Sequence, residues 1–284
     1  MEISRDKFKH VGMNEEKAQA IVRPSMTYWQ DAWRRLKKNK IALTSLAFIL
    51  IMGFMAIAGP MMVPYKYNDN NLMLGIVQPT AEHWFGSDSL GRDMWARVWI
   101  GARISLFIGL MAAIVETIIG VVVGGVAGFF GGKIDMFIMR FIDILIAIPF
   151  LIFVILIMVI IGSGVGSIIL AFSITGWLGM ARLVRGQILQ LKEQEFVLAA
   201  RTLGADSMRL IFKHLIPNTL GVIIVTLTMA IPSAIFTEAF LSFIGIGVRP
   251  PMTSWGQLAS SGATAMQVHP FLLIIPAIFI SLTM

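Results

Sequence analysis

Few groups in this chain could do chemistry. Cysteine is absent, and the four histidines, His10, His83, His214 and His269, are widely scattered. There is therefore no thiol nucleophile, thiolate metal site or disulfide framework. Gly132-Lys133 is followed by Ile134 with no phosphate-binding loop before it, and neither H-E-x-x-H nor G-x-S-x-G occurs. An enzyme would need a nucleophile–base pair or a metal cluster. No catalytic, cofactor or metal site is expected, and any uphill work must draw on a partner or an ion gradient. What remains is charge in an apolar setting. Glu116, Asp143 and Glu238 fall within or near the ends of long hydrophobic runs, where a charge is expensive and marks a functional candidate. Glu116 lies deepest, and Glu238 sits towards the outer end of its run. Both are candidates to line a conduit, the alternative being a paired or protonated structural role. Asp143 has Arg140 three residues earlier, which predicts a local ion pair.

The elements that carry these residues follow from composition. The 284 residues are 57% hydrophobic and 14% charged, against about 45–50% and 25% in soluble domains. This excludes disorder and an ordinary soluble fold, and predicts an all-α polytopic membrane protein. A crossing helix needs roughly 20 mostly apolar residues. The runs are 41–63, 104–130, 136–161, the shorter 167–181, 220–244, and a sixth from Pro270 to Met284, giving six transmembrane helices. The sixth has fifteen residues, roughly 22 Å at about 1.5 Å each, and is either unusually short or continued beyond Met284.

Of the 23 basic residues, ten lie in 1–40, Lys133 and Arg140 flank the second connection, and six fall between Arg182 and Lys213. The opposite side receives five: Lys66, Arg92, Arg97, Arg103 and Arg249. This bias predicts a cytoplasmic N-terminus. The net charge of +7 then sets orientation, and no nucleic-acid partner is expected. The expected organisation is a cytoplasmic tail 1–40 and a membrane domain 41–284. The domain has outer loops 64–103 and 245–269 and a cytoplasmic segment 182–218. Trp29, Trp33 and Leu36 at helical spacing, amid basic residues, predict an interfacial helix before the first span. Gly120, Gly124 and Gly128 predict a close helix crossing. Trp84, Trp95 and Trp99 are expected as interfacial anchors.

The most informative stretch is residues 193–218. Phe196, Ala199, Ala200 and Leu203 form an i, i+3, i+4, i+7 stripe, and Gly204 follows where a helix-ending glycine is expected. Asp206 or Ser207 can cap a second helix. Met208, Ile211, Phe212 and Leu215 repeat the stripe until Pro217 stops it. Such a helix–turn–helix on the wet side could pack on its own bundle, offer a helix to a groove on a soluble partner, or read DNA, which its tethering between two spans disfavours.

Ala199, Ala200 and Gly204, followed by His214-Leu-Ile-Pro217, resemble the EAA loop of ABC importer permeases. Leu198 stands where that loop carries Glu, and Glu195, one turn earlier, could substitute. Trp84-Phe-Gly-Ser-Asp-Ser-Leu-Gly-Arg-Asp93, the 101–106 and 176–187 stretches, Ser242-Phe-Ile-Gly-Ile-Gly-Val-Arg-Pro-Pro251 and Ser254-Trp-Gly256 are similar to the C-type subunit of dipeptide/oligopeptide permeases. The resemblance implies the type I importer permease architecture in the cell membrane. It implies a second homologous permease subunit, two cytoplasmic ATPase subunits that dock on the EAA loop, and an extracytoplasmic peptide-binding protein. The cargo it implies is dipeptides or oligopeptides, with nickel complexes as the related alternative. A stand-alone secondary transporter would favour an internal repeat, and none is evident.

Overall fold

The computed structural model describes residues 27–284, apart from the side chains of Tyr28 and Trp29. Most of the tail expected at 1–40, and the Trp29 part of the predicted apolar face, lie outside the described residues. The chain divides into two compact units, residues 1–50 and 51–284. In the first, helix α1, Tyr28–Lys38, starts with a capping box: Gln30 N donates to Thr27 Oγ1 at 3.4 Å, and Thr27 N to Gln30 Oε1 at 3.1 Å. Asp31 in its first turn and Arg35, Lys37 and Lys38 in its last complement the helix dipole. Helix α2, Lys40–Ala58, begins in this unit and is apolar all round, with Ile49, Leu50, Ile51, Phe54 and Ile57 exposed. Such a surface requires lipid or protein against it.

The second unit is built on α3, Met94–Phe130. Asp93 caps it, accepting from Ala96 N at 2.8 Å. Its 37 residues reach roughly 56 Å at about 1.5 Å each, well beyond a hydrocarbon core. There follow α4, Gly132–Ala147; α5, Phe150–Ile161; α6, Val165–Thr175; α7, Trp177–Leu191; and α8, Glu195–Thr202. The unit ends with α9, Ser207–Phe243; α10, Trp255–Thr264; and α11, Phe271–Thr283.

Among the described residues, four helical stretches are long and apolar enough to cross a membrane: Lys40–Met61, Met94–Phe130, Val165–Leu191 and Ser207–Phe243. A fifth exists if α4 and α5 count as one broken span, and α11 is apolar but has only 13 residues. The all-helical fold thus matches expectation, and six is an approximate count. Where the sequence reads one third span, α4 and α5 are bent by 81°. The cause is Pro149: it lacks an N–H, and it forces Ile148 into extended backbone, φ −89°, ψ 122°. The fourth run is longer than its hydropathy suggests, because α7 continues beyond Ala181 to Leu191.

The core joins α3, α5, α6 and α9 through Ile108, Ala112, Val154, Ile168, Ala234 and Leu241. The glycine face of α3 meets α7 closely. A Cβ on Gly124 would collide with the Ala181 backbone, and one on Gly128 would lie 2.9 Å from the Arg185 carbonyl oxygen. Two ion pairs tie α4 to α7: Asp135 with Arg185, and Asp143 with Arg182 at 2.5 Å. The local partner read for Asp143, Arg140, is 4.0 Å away. Arg182 approaches from the neighbouring helix, a proximity that only the tertiary packing creates. Trp95 and Trp99 also differ from a simple anchor role. They join Phe85 and Phe279 in an aromatic cluster, with Trp99 buried.

Candidate functional site

Segment 193–218 forms the helix–turn–helix read from its stripes. Helix α8 ends in a Schellman turn: Ala205 N donates to Ala200 O at 3.1 Å, and Gly204 N to Arg201 O at 3.0 Å. Gly204 has φ +82°, the left-handed conformation that a residue without a Cβ adopts freely. The chain then enters α9 at Ser207 without a stop at Pro217. Residues Leu210–Leu215 form a π-helical stretch, and Ile216 and Pro217 begin the next α-helical stretch directly after it. The i→i+5 phase shifts the ladder just before the residue that cannot donate to it. The second helix of the motif and the membrane-crossing helix are consequently one rod.

The stripes divide between two faces. Val197, Leu210, Ile211 and Leu215 are buried. Val197, Leu210 and Leu215 pack with Val184, Ile188 and Ile223, and Ala200 and Ala205 border the same cluster. Ile211, placed by the sequence among the coupling residues, is turned inward. His214 and Ala200 are half-buried. Left outside are Glu195, Phe196, Ala199, Gly204 and Pro217, with Leu203 at 88% exposure. Met208 and Phe212 extend this apolar rim on the second helix. Sequence spacing missed Val197, because two adjacent apolar positions fit a helical stripe equally well and only packing selects between them.

The two acidic candidates have different surroundings. Glu238 is fully buried and accepts hydrogen bonds from Ser105 Oγ at 2.9 Å and Ser242 Oγ at 2.7 Å. Ser105 Oγ accepts from Trp255 N at 3.2 Å, and Ser242 Oγ from Val248 N at 3.1 Å. Glu238 thereby joins α3, α9 and the start of α10. Glu116, by contrast, borders an open cavity of about 320 Å³ beside the α4–α5 break. A second polar network lies before α3. Asp88 holds Arg92 at 2.7 Å and Arg97 at 3.4 Å, and Arg97 donates to Gln257 Oε1 at 3.3 Å. His83 Nδ1 lies 2.8 Å from Asp93.

Residues 120–284 match the family described as binding-protein-dependent transport system inner membrane component. Residues 27–79 match the N-terminal TM domain of oligopeptide transport permease C. The chain belongs to the oligopeptide/dipeptide group of ABC importer permeases. It is 51% identical to the dipeptide transport system permease protein DppC of Bacillus subtilis (strain 168) over 96% of this chain and 86% of that one. With the oligopeptide transport system permease protein OppC of the same organism it shares 49% identity, over 99% of this chain and 92% of the relative. The permease of the MetNI methionine ABC transporter, solved in inward-facing conformations, has the same fold. Its TM-score is 0.52 at 19% identity, covering 65% of this chain and 91% of that one. This permease is therefore a multi-pass membrane component of a larger transport system, and a transport subunit rather than an enzyme.

Proposed function

We propose that this permease carries peptides inward across the cell membrane as the C-type subunit of an ABC importer, with segment 193–218 as its ATPase-docking surface. Relatives named as dipeptide and oligopeptide permeases, about half identical over nearly the whole chain, support the cargo class. The excess of basic residues in the tail and in 182–213 supports a cytoplasmic N-terminus and a cytoplasmic docking segment. The working assembly in this reading holds a second, homologous permease, two cytoplasmic ATPases and an outer peptide-binding protein.

One observation carries the docking reading. Helix α8 is fastened to its own bundle by Val197 and closed by its Schellman turn, yet leaves Phe196, Ala199 and Leu203 outside. A rigid helix with an exposed apolar edge on a water-facing segment fits a groove on a soluble partner. Because α9 runs unbroken from Ser207 to Phe243, a displacement at the docking surface passes along one rod into the membrane. ATP-driven closure of the ATPases would then open the spans outward, and hydrolysis would reset them.

The test is ATPase retained on the affinity-purified permease pair. Ala199 is small enough to sit deep in a groove, and burying an unpaired charge there costs a few kcal/mol. About 3 kcal/mol is roughly 100-fold in affinity. Ala199→Asp should release the ATPases, and Arg201→Ala should do much less. Equal retention by Ala199→Asp and the parent would refute the docking surface. A larger loss with Arg201→Ala would show that charge dominates.

A further inference from the structure

The cavity beside the α4–α5 break has a lining that selects for one chemistry. Its polar members are Glu116, Thr175 and Thr237, with Leu145, Ile148, Phe150 and Phe172 among its apolar walls; no Lys, Arg or His lines it. Glu116 makes no hydrogen bond or ion pair among the described residues. Thr175 spends its proton on Ala171 O at 3.3 Å, and Thr237 spends its own on Ser233 O at 2.8 Å. Every side-chain polar group facing the cavity is thus free only to accept. The break itself favours neither sign: it brings the negative C-terminal end of α4 and the positive N-terminal end of α5, at Phe150, to the same cavity, so the side chains carry the selectivity.

We propose that this cavity receives the primary ammonium group at the N-terminus of a transported peptide, with Glu116 as its counter-ion. The inference rests on the reading of this chain as a peptide permease. An ammonium carries three donors and no acceptor, which matches the carboxylate and the two hydroxyl oxygens. The Phe150 and Phe172 rings, 5.2 Å apart, and the aliphatic walls accommodate the first side chain. The cavity volume, about 320 Å³, lies at the lower end of the roughly 300–1,000 Å³ of ligand pockets and suits one end of a peptide better than a whole oligopeptide. A hard metal cation would want about six oxygen ligands, and the cavity's side chains offer one carboxylate and two hydroxyls. Gly176, at the α6–α7 joint, shapes the site. A Cβ there would fall on the Glu116 carboxyl, while the Gly176 backbone itself, φ −64°, ψ −35°, suits any residue.

The experiment uses the whole importer, permeases and ATPases together, in lipid nanodiscs. Dicyclohexylcarbodiimide modifies carboxyls in apolar surroundings, and mass spectrometry reads the adduct at Glu116. Dialanine near ten times its Kd should lower that adduct about tenfold. Equimolar N-acetyl-dialanine or sodium chloride should leave it unchanged. Gly176→Ala, whose new methyl displaces the carboxyl, should abolish protection by dialanine while leaving ATPase co-purification intact. Three results would overturn the proposal: no adduct at Glu116, equal protection by the acetylated peptide or sodium, or undiminished protection in Gly176→Ala. ATPase co-purification, followed on the same samples, tests the docking reading separately. Failed protection with ATPases retained refutes the ammonium site alone.

Discussion

Two adjacent glycines on α3 offer a controlled test of how this fold is held together. Gly124 and Gly125 share a helix, a membrane environment and a backbone propensity, so Gly→Ala changes all of these equally. They differ in what a new methyl meets. At Gly124 it would strike the carbonyl group and Cα of Ala181 on α7, backbone atoms that no rotamer change can move. At Gly125 the nearest atoms are Ile188 Cδ1 at 3.7 Å, Ile211 Cγ2 at 3.8 Å and Ile216 Cδ1 at 3.9 Å, ordinary van der Waals contact. Overpacking of the first kind costs typically about 1–3 kcal/mol, and here α3 must move away from α7 along its whole small-residue face. The second substitution should be neutral or gain up to about 1 kcal/mol from helix propensity and added packing. Because the propensity gain is common to both, the expected separation is the overpacking cost, about 1–3 kcal/mol, several degrees in the thermal transition of the detergent-purified protein. The assay is the midpoint for each variant against the parent, by a fluorescence readout of unfolding. If Gly124→Ala matched Gly125→Ala, the close α3–α7 crossing would be wrong, as would the assignment of the small-residue stripe to it.

Val197 and Phe196 should separate in the same manner. Val197→Ala leaves a cavity under α8 and should lower stability by about 1–2 kcal/mol, whereas Phe196→Ala should leave the melting midpoint unchanged and weaken ATPase retention. Gly204→Pro replaces a residue at φ +82° with one fixed near −65° and removes the N–H given to Arg201 O. Peptide uptake should be lost while membrane insertion, read by membrane-fraction abundance, stays normal; unimpaired uptake would refute the coupling role of this turn. Cysteines introduced singly into this cysteine-free chain at Ser207 and Met73, both exposed, should label with an impermeant maleimide only from the cytoplasm and only from outside, respectively. The reverse pattern would invert the topology.

How much of this was legible beforehand depends on the range of the interaction concerned. Hydropathy alone determined the membrane class and the helical fold, because backbone groups in lipid must be satisfied within the helix. The Gly204 turn was likewise local: a stripe ending in glycine specifies its own Schellman bonds. Pro149 and Pro217 show where local reading stops. One breaks a span by 81°, while the other, exposed on the water-facing segment, follows a π-helical stretch in a continuous rod. Pro217 stands in the first turn of its α-helical stretch, where a missing N–H is tolerated, and Pro149 does not. The same holds for charge. Asp143 pairs with Arg182 across two helices at 2.5 Å, in addition to the looser 4.0 Å pair with Arg140 on its own helix. Glu238 is enclosed by hydroxyls, one of them contributed 133 residues away by Ser105, while Glu116 faces open space. The sequence marked both glutamates alike, as carboxylates in apolar runs. Their different surroundings come from helices that meet only in the folded protein, because the cost of a charge in the membrane depends on what stands within a few ångströms of it.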